Sequence, residues 1–245
     1  MRIAIISDIH GNLTALDAVV ADLDRTKPDL VLHGGDLAAS GCQPAEVIDL
    51  ISQLGWAGVM GNTDEMLWTP EALPALIAAA PKLSGLLRIL FEAFAPATRA
   101  LIGEQRMAWL RGLPAEFRHE DLVLLHASPG NLWRAPLDSS EPASLEKVYG
   151  DLDARTVVYC HTHRPFIHRG AFTICNSGSV GSPYDGDPRA CYLLIDNHQP
   201  EVRRVEYDVE TEVRRLLDST YPYTHWLAEM RRRGTYVPPF EQEKG

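Results

Sequence analysis

The chain has 245 residues, of which 45% are hydrophobic and 23% charged, a composition typical of a globular protein with a substantial core. Its formal net charge of -10 argues against nonspecific binding to nucleic acid or to an anionic membrane. The first apolar run, Ile3–Ile6, is too short for a secretory signal, and no stretch approaches the ~20 apolar residues of a membrane span. The four cysteines form no CxxC pair, so we predict a cytoplasmic protein with reduced thiols.

The first sixty residues alternate short strands with helices. Strands are predicted at Ile3–Ser7, Leu30–His33 and Ala57–Met60. The segments Asn12–Asp24 and Pro44–Leu54 place their apolar residues at helical spacing. This βαβαβ order indicates an α/β domain with a largely parallel sheet.

A helical insert is predicted at about residues 65–118, where long helical stretches are interrupted by several prolines. Two interpretations remain open for this segment. It packs on one edge of the sheet as ordinary helical cover, or it forms a lid over a site. An exposed insert of this kind would also suit a homo-oligomer contact.

The remainder of the chain is rich in strands and ends in helices. Strands are predicted at Leu122–His126, Thr156–Cys160, Ala171–Asn176, Cys191–Ile195 and Glu201–Tyr207. C-terminal helices are predicted at about residues 208–233, as Val209–Leu217 and Thr224–Arg233. The whole chain, 1–245, is therefore predicted to be one domain.

Polar residues follow the first three predicted strands directly. Asp8 and His10 lie in one turn, Asp36 follows two glycines, and Asn62 follows another glycine. Carboxylate, imidazole and amide groups at strand ends can reach a common metal ion. Each motif alone is weak, since helix caps and tight turns use the same residues.

Two later strands end in histidines: His126, and then the pair His161 and His163. Five strand ends thus bring seven potential ligands to the edge where open α/β sheets place their sites. A mixed nitrogen and oxygen set without thiolate suits Mn²⁺, Fe, Ni²⁺ or Zn²⁺, and argues against a dedicated Ca²⁺ site.

The ordered set D-x-H, GD, GN, H and H-x-H resembles the calcineurin-like metallophosphoesterase superfamily. The similarity is greatest to its small bacterial and archaeal branch of YfcE-like and diadenosine-tetraphosphatase-like proteins. The segments Gly35–Leu37, Gly61–Glu65 and Asn176–Gly181 contribute to it, and it runs from Met1 to about Tyr207. The resemblance implies a four-layer α/β/β/α sandwich, in which two mixed sheets are flanked by helices.

The resemblance also implies two divalent metal ions that share Asp36. The implied ligands of one are Asp8, His10, Asp36 and His163, and those of the other are Asp36, Asn62, His126 and His161. Mn²⁺ is favoured, with Fe, Ni, Zn or Mg as alternatives. A hydroxide between the ions would attack a phosphodiester or a nucleotide phosphoanhydride in a small phosphorylated substrate. Asp36, Asn62 and His10 are the implied catalytic residues.

The chain departs from the family pattern at Thr63, where many members have a histidine that protonates the leaving group. A threonine hydroxyl is a poor acid near neutral pH. Either the leaving group needs no proton, or a metal-bound water or His10 supplies it. A second departure, Ala39 in place of an acidic residue, would remove only support for the ligands.

Substrate binding is predicted at Asn62, Arg164 and Ser179, the last within a glycine-rich loop. A surface ion pair for Arg164 and an ordinary turn for the loop are the alternatives. Tyr184 and Trp133 could stack on a base or simply pack. Two other functions stay open: a nuclease, which the acidic charge disfavours, and a metal-binding scaffold that has lost catalysis.

Overall fold

Two five-stranded mixed sheets form the centre of the fold in a computed structural model that describes residues 1–239. The strands in chain order are β1 Arg2–Ile6, β2 Leu30–His33, β3 Ala57–Gly58, β4 Glu116–His119, β5 Leu122–Leu125, β6 Thr156–Tyr159, β7 Phe166–Arg169, β8 Thr173–Asn176, β9 Ala190–Asp196 and β10 Gln199–Val205. The first sheet has the order β10-β9-β1-β2-β3, and the second has the order β4-β5-β6-β8-β7.

Helices cover the outer face of each sheet. They are α1 Leu13–Thr26, α2 Pro44–Leu54, α3 Asn62–Glu65, α4 Leu73–Ala79, α5 Ser84–Arg88, α6 Ala95–Arg111, α7 Pro142–Tyr149, α8 Val209–Asp218 and α9 Thr224–Arg233. A π-helical segment, Ile89–Phe94, joins α5 to α6, and α6 is interrupted at Gly103, whose φ is 68°.

Three apolar clusters fill the spaces between the layers. Alternate residues of β1 divide between two of them: Ile3 and Ile5 pack between the sheets, whereas Ala4 and Ile6 face the helices. This division follows from the two-residue period of a strand. On the outer face of the second sheet, Tyr149 of α7 packs in a third cluster. The predicted four-layer sandwich is confirmed.

The sequence missed two strands. β4 and β7 are the edge strands of the second sheet, and each is only partly buried. The predicted insert is wrong at its end, because Glu116–Arg118 belongs to β4. The third strand is also shorter than predicted, since Ala57–Gly58 alone pairs with β2.

The four cysteines are free thiols, three of them buried. No helix within residues 1–239 is long and apolar enough to traverse a bilayer.

Candidate metal centre

The loops after β1 and β2 continue the parallel pairing of those strands. Ile6 pairs with His33 at the end of the ladder. After the last paired residues, the Asp8 backbone N–H donates a hydrogen bond to the Gly35 carbonyl at 3.0 Å. The His10 backbone N–H donates one to the Asp36 carbonyl, also at 3.0 Å. These bonds hold the loops after β1 and β2 side by side. A hydrogen bond from the Asp36 N–H to the Asp64 carboxylate at 2.8 Å does the same for the loop after β3. The ligand-bearing turns are therefore built by the sheet itself.

One group of four side chains gathers within this region. Asp8, His10, Asp36 and His163 each offer a ligand atom, and these atoms all lie within 4.8 Å of one another. His163 Nε2 is 3.3 Å from Asp8 Oδ1, and His10 Nε2 is 3.7 Å from Asp36 Oδ2. All four residues are buried. This is the set that the resemblance assigned to one metal ion.

A second group lies on the other side of Asp36. The nitrogen atoms His126 Nε2 and His161 Nδ1 both lie 2.8 Å from Asn62 Oδ1. His126 Nε2 is also 3.6 Å from Asp36 Oδ1. Asp36 thus turns one carboxylate oxygen toward each group.

Three of the histidine rings are oriented by backbone carbonyls. The Nδ1 atoms of His10, His126 and His163 donate to the carbonyls of Ala39, Gly34 and Ser182 at 2.8, 2.7 and 2.5 Å. In a neutral imidazole whose Nδ1 carries the hydrogen, Nε2 is left with a lone pair. The Nε2 lone pairs are therefore available as metal ligands.

The spacing of the bare nitrogens fits a metal ion. His10 Nε2 and His163 Nε2 are 3.2 Å apart, and two lone pairs at that distance repel each other. Two nitrogens bound at ~2.1 Å to one tetrahedral ion would lie ~3.4 Å apart. The buried Asp8 Oδ1 beside them has no hydrogen-bond partner in residues 1–239. The residues present therefore fit a divalent cation.

Five of the seven predicted ligands have left-handed backbone conformations. The φ angles are 52° at Asp8, 51° at His10, 54° at Asp36, 67° at His161 and 59° at His163. Positive φ is uncommon outside glycine, although Asp and His adopt it more readily than most residues. Such backbone strain clusters at functional sites, where the surrounding structure holds it in place.

At Asp8, His10 and His161, burial and charge favour the protonation states that metal binding requires. Burial lowers the pKa of His10 and of His161 to about 4 each. Burial alone would raise the pKa of Asp8, but His163 and the other histidines outweigh it, and the pKa lies well below its usual range. At neutral pH these imidazoles are neutral and this carboxylate is charged, as in a metal site.

Asp64 is a buried carboxylate that the sequence analysis did not single out. It accepts hydrogen bonds from the backbone N–H groups of Asp36, Leu37 and Gly61 at 2.8, 3.1 and 3.1 Å. It therefore fastens the second ligand loop to the third. Its position three residues after Gly61, as in a helix capping box, was the signal available in the sequence.

The metal-binding groups open into a cavity of about 160 Å³. His10, Asp36, Asn62, His161 and His163 line one side of it. Hydroxyl residues lie next to them, namely Ser40, Thr63 and Ser182. Helix α9 and the α5–α6 segment of the insert form the other side. The insert therefore both packs on the core and borders the site.

Two of the three predicted substrate-binding residues lie elsewhere. Ser179 is fully buried, and its hydroxyl donates to the Asp8 carbonyl and accepts from the Ser182 N–H. It thus supports the ligand loop and does not line the cavity. Arg164 points away into solvent, 3.9 Å from Asp138. Only Asn62 borders the cavity.

The two candidate stacking residues also differ in position. Tyr184 lines the cavity and stacks on the His163 ring, with centroids 4.2 Å apart. Trp133 does not line the cavity. Its ring stacks on Phe91, with centroids 5.5 Å apart, and its indole N–H donates a hydrogen bond to the Glu65 carboxylate.

A two-sheet sandwich that gathers carboxylates and imidazoles at its strand ends defines an α/β protein with a candidate metal centre. The chain belongs to the calcineurin-like phosphoesterase superfamily, whose domain profile matches residues 1–199. The family predicted from the motif set is therefore confirmed.

Relatives and solved structures similar to the chain cover nearly all of it. An uncharacterized protein of Methanocaldococcus jannaschii is 29% identical over 93% of this chain and 96% of its own length. A metallophosphoesterase from Sphaerobacter thermophilus has a TM-score of 0.78 at 24% identity, covering 96% of this chain and 100% of its own. A hypothetical protein from Pyrococcus horikoshii has a TM-score of 0.82 at 18% identity, and the match covers 96% of this chain and 99% of that protein.

Proposed function

We propose that this chain hydrolyses a phosphodiester or a nucleotide phosphoanhydride with the help of two divalent metal ions. The observation that carries the proposal is the position of Asp36, whose Oδ2 faces His10 and whose Oδ1 faces His126. One ion would be held by Asp8, His10, Asp36 and His163, and the other by Asp36, Asn62, His126 and His161. Bound together, two such ions supply a nucleophilic hydroxide near neutral pH and neutralise charge on the phosphoryl oxygens.

The chain's own residues supply position and charge for this chemistry. Asp36 stays in place because its Oδ1 also accepts the Thr63 backbone N–H at 2.8 Å. Asn62 directs Oδ1 toward two histidines and also borders the cavity. Its side-chain amide is the group that we expect to contact a bound phosphate.

In the part of the chain that the structure describes, the site has no strong general acid that could protonate the leaving group. Both ring nitrogens of His10 are engaged, Nδ1 with the Ala39 carbonyl and Nε2 with the metal-binding group. Thr63 borders the cavity, and its hydroxyl has no partner within residues 1–239. A hydroxyl can donate a hydrogen bond to the leaving oxygen but is a weak acid. Substrates that release a stable anion fit this site best.

The charge of the cavity favours a small substrate over a nucleic acid. No lysine or arginine is among the cavity-lining residues of the described chain, and the net charge is -10. Binding along a phosphate backbone depends on several such cations. We therefore propose a small phosphorylated substrate in a cytoplasmic setting, with Mn²⁺ as the favoured ion.

Hydrolysis of bis-(p-nitrophenyl) phosphate by EDTA-treated protein resupplied with Mn²⁺ tests the proposal. We expect turnover that depends on the ion, and a loss of at least ~1000-fold in kcat for Asp36→Asn. Asp24→Asn is the matched control, because Asp24 is an exposed aspartate of α1. Metal binding without hydrolysis of any phosphate ester would instead support the scaffold function, and salt-sensitive cleavage of DNA would support a nuclease.

A further inference from the structure

The cavity that contains the metal-binding groups also has an apolar and partly aromatic wall. Leu86, Leu90 and Phe94 lie four residues apart and line the cavity from the insert, while Trp226 and Met230 line it from α9. The spacing of four residues puts the first three on one helical face. The two parts of the wall meet where the Phe94 and Trp226 rings stack, with centroids 6.0 Å apart.

This surface is unusual for a site that binds only a phosphate. A phosphate group is bound by charge and by hydrogen-bond donors, and the wall provides neither. Leu86 and Leu90 pack against the main apolar cluster and keep part of their surface exposed, whereas Phe94, Trp226 and Met230 are buried. The wall also includes a π-helical segment, Ile89–Phe94, a local distortion that is frequent at functional sites.

The cavity has a volume of about 160 Å³, which is comparable with an apolar cavity of about 150 Å³ that accommodates benzene. It is shared between the metal-binding groups and the apolar lining. Tyr184 and Tyr236 lie at the same cavity with their rings 5.8 Å apart in an edge-on arrangement. Aromatic side chains contact planar rings through their faces and edges.

Resting on the proposed function, we propose that the apolar wall selects substrates whose organic group carries an aromatic ring, and that this ring packs on the partly exposed Leu86 and Leu90 while the phosphate faces the metal ions. Two further observations agree with this class. No lining cation of the described chain would bind additional phosphates of a polyphosphate. Thr63 provides no strong acid, and aryl oxides leave without one.

Binding of phenylphosphonate and methylphosphonate to the Mn²⁺-loaded protein tests the wall without requiring turnover. The two ligands share the phosphonate group and differ in the ring. Burial of an aromatic ring favours the phenyl compound by about tenfold or more in Kd, measured by isothermal titration calorimetry. Leu90→Ser should reduce this ratio several-fold. Leu101→Ser is the matched control, because Leu101 is an exposed leucine of α6 away from the cavity, and it should leave the ratio unchanged.

Hydrolysis provides the second measurement. Phenyl p-nitrophenyl phosphate carries an aromatic ring on each side of the phosphorus, so one of them meets the wall in either orientation. We expect Leu90→Ser to lower kcat/KM for this ester several-fold and Leu101→Ser to leave it unchanged.

The two proposals can fail separately. A preference for phenylphosphonate that depends on Leu90, without hydrolysis of the ester, would support the wall and refute the proposed hydrolysis. Hydrolysis of the ester with the same kcat/KM in the parent and in Leu90→Ser would support hydrolysis and overturn the wall. Equal Kd values for the two phosphonates, or binding of neither, would overturn the wall as well.

Discussion

His33 should make the stability of the metal-free protein depend on pH. It is the last residue of β2, fully buried, and neither ring nitrogen has a hydrogen-bond partner within residues 1–239. Burial lowers its pKa from 6.5 to about 4. Because the folded pKa is the lower one, the unfolded chain binds more protons between these values, and stability falls as the pH falls from 6.5 toward 4.

The size of the effect follows from these two pKa values. At about pH 7.5 the His33 ring is neutral in both the folded and the unfolded protein, and its contribution to the pH dependence of stability is close to zero. At about pH 5 the same ring destabilises the fold by about 2 kcal/mol. His33→Leu removes the titrating group and keeps an apolar side chain of similar size. The variant should therefore gain about 2 kcal/mol over the parent protein when the pH is lowered between these values.

Urea unfolding in EDTA at the two pH values measures this difference. His225→Leu is the control, because His225 lies on an exposed position of α9 and its ring faces water in both states. The reasoning would be refuted if the difference in unfolding free energy between His33→Leu and the parent were the same at both pH values.

Three further predictions concern the site and its loops. Adding Mn²⁺ to the EDTA-treated protein at about 100 times its Kd should raise the unfolding temperature by roughly 5–10 °C in a thermal scan, and Asp36→Asn should remove most of that shift. Asp64→Ala leaves three buried backbone N–H groups unpaired, so the free energy of unfolding in urea should fall by at least about 3 kcal/mol. An unchanged free energy of unfolding would contradict the role of Asp64 in joining the loops. Gly181→Ala would push a Cβ into the Ile9 carbonyl, whereas Gly150→Ala meets nothing within 4 Å; circular dichroism should show a lower unfolding temperature for the first only.

Sequence patterns predicted the strands that are buried on both faces, and also β3 and β10, the edge strands of the first sheet. β1, β5 and β6 are nearly continuous apolar runs, which is the pattern of central strands. β4 and β7 contain charged and histidine residues because an edge strand has one neighbour and faces solvent. Their sequences carry too little periodicity to be separated from loops.

The candidate ligands could be predicted because side-chain chemistry follows directly after recognisable strands. The groups that orient them could not, since the carbonyls of Ala39, Gly34 and Ser182 belong to the backbone, and any residue supplies a carbonyl. The apolar wall was also hidden. Leu90 and Trp226 lie far apart in the sequence, and a helical period does not distinguish a cavity-facing leucine from a core leucine.

The left-handed backbone at the ligand positions changes how alanine scanning of this site should be interpreted. At Asp8, Asp36 or His163, alanine removes a ligand and also adds a conformational penalty of about 1 kcal/mol, because aspartate and histidine adopt positive φ several-fold more readily than alanine does. Asparagine tolerates that conformation and keeps a polar side chain. Paired alanine and asparagine variants would therefore separate the loss of metal affinity from the loss of folding energy, two effects that a single alanine variant reports as one.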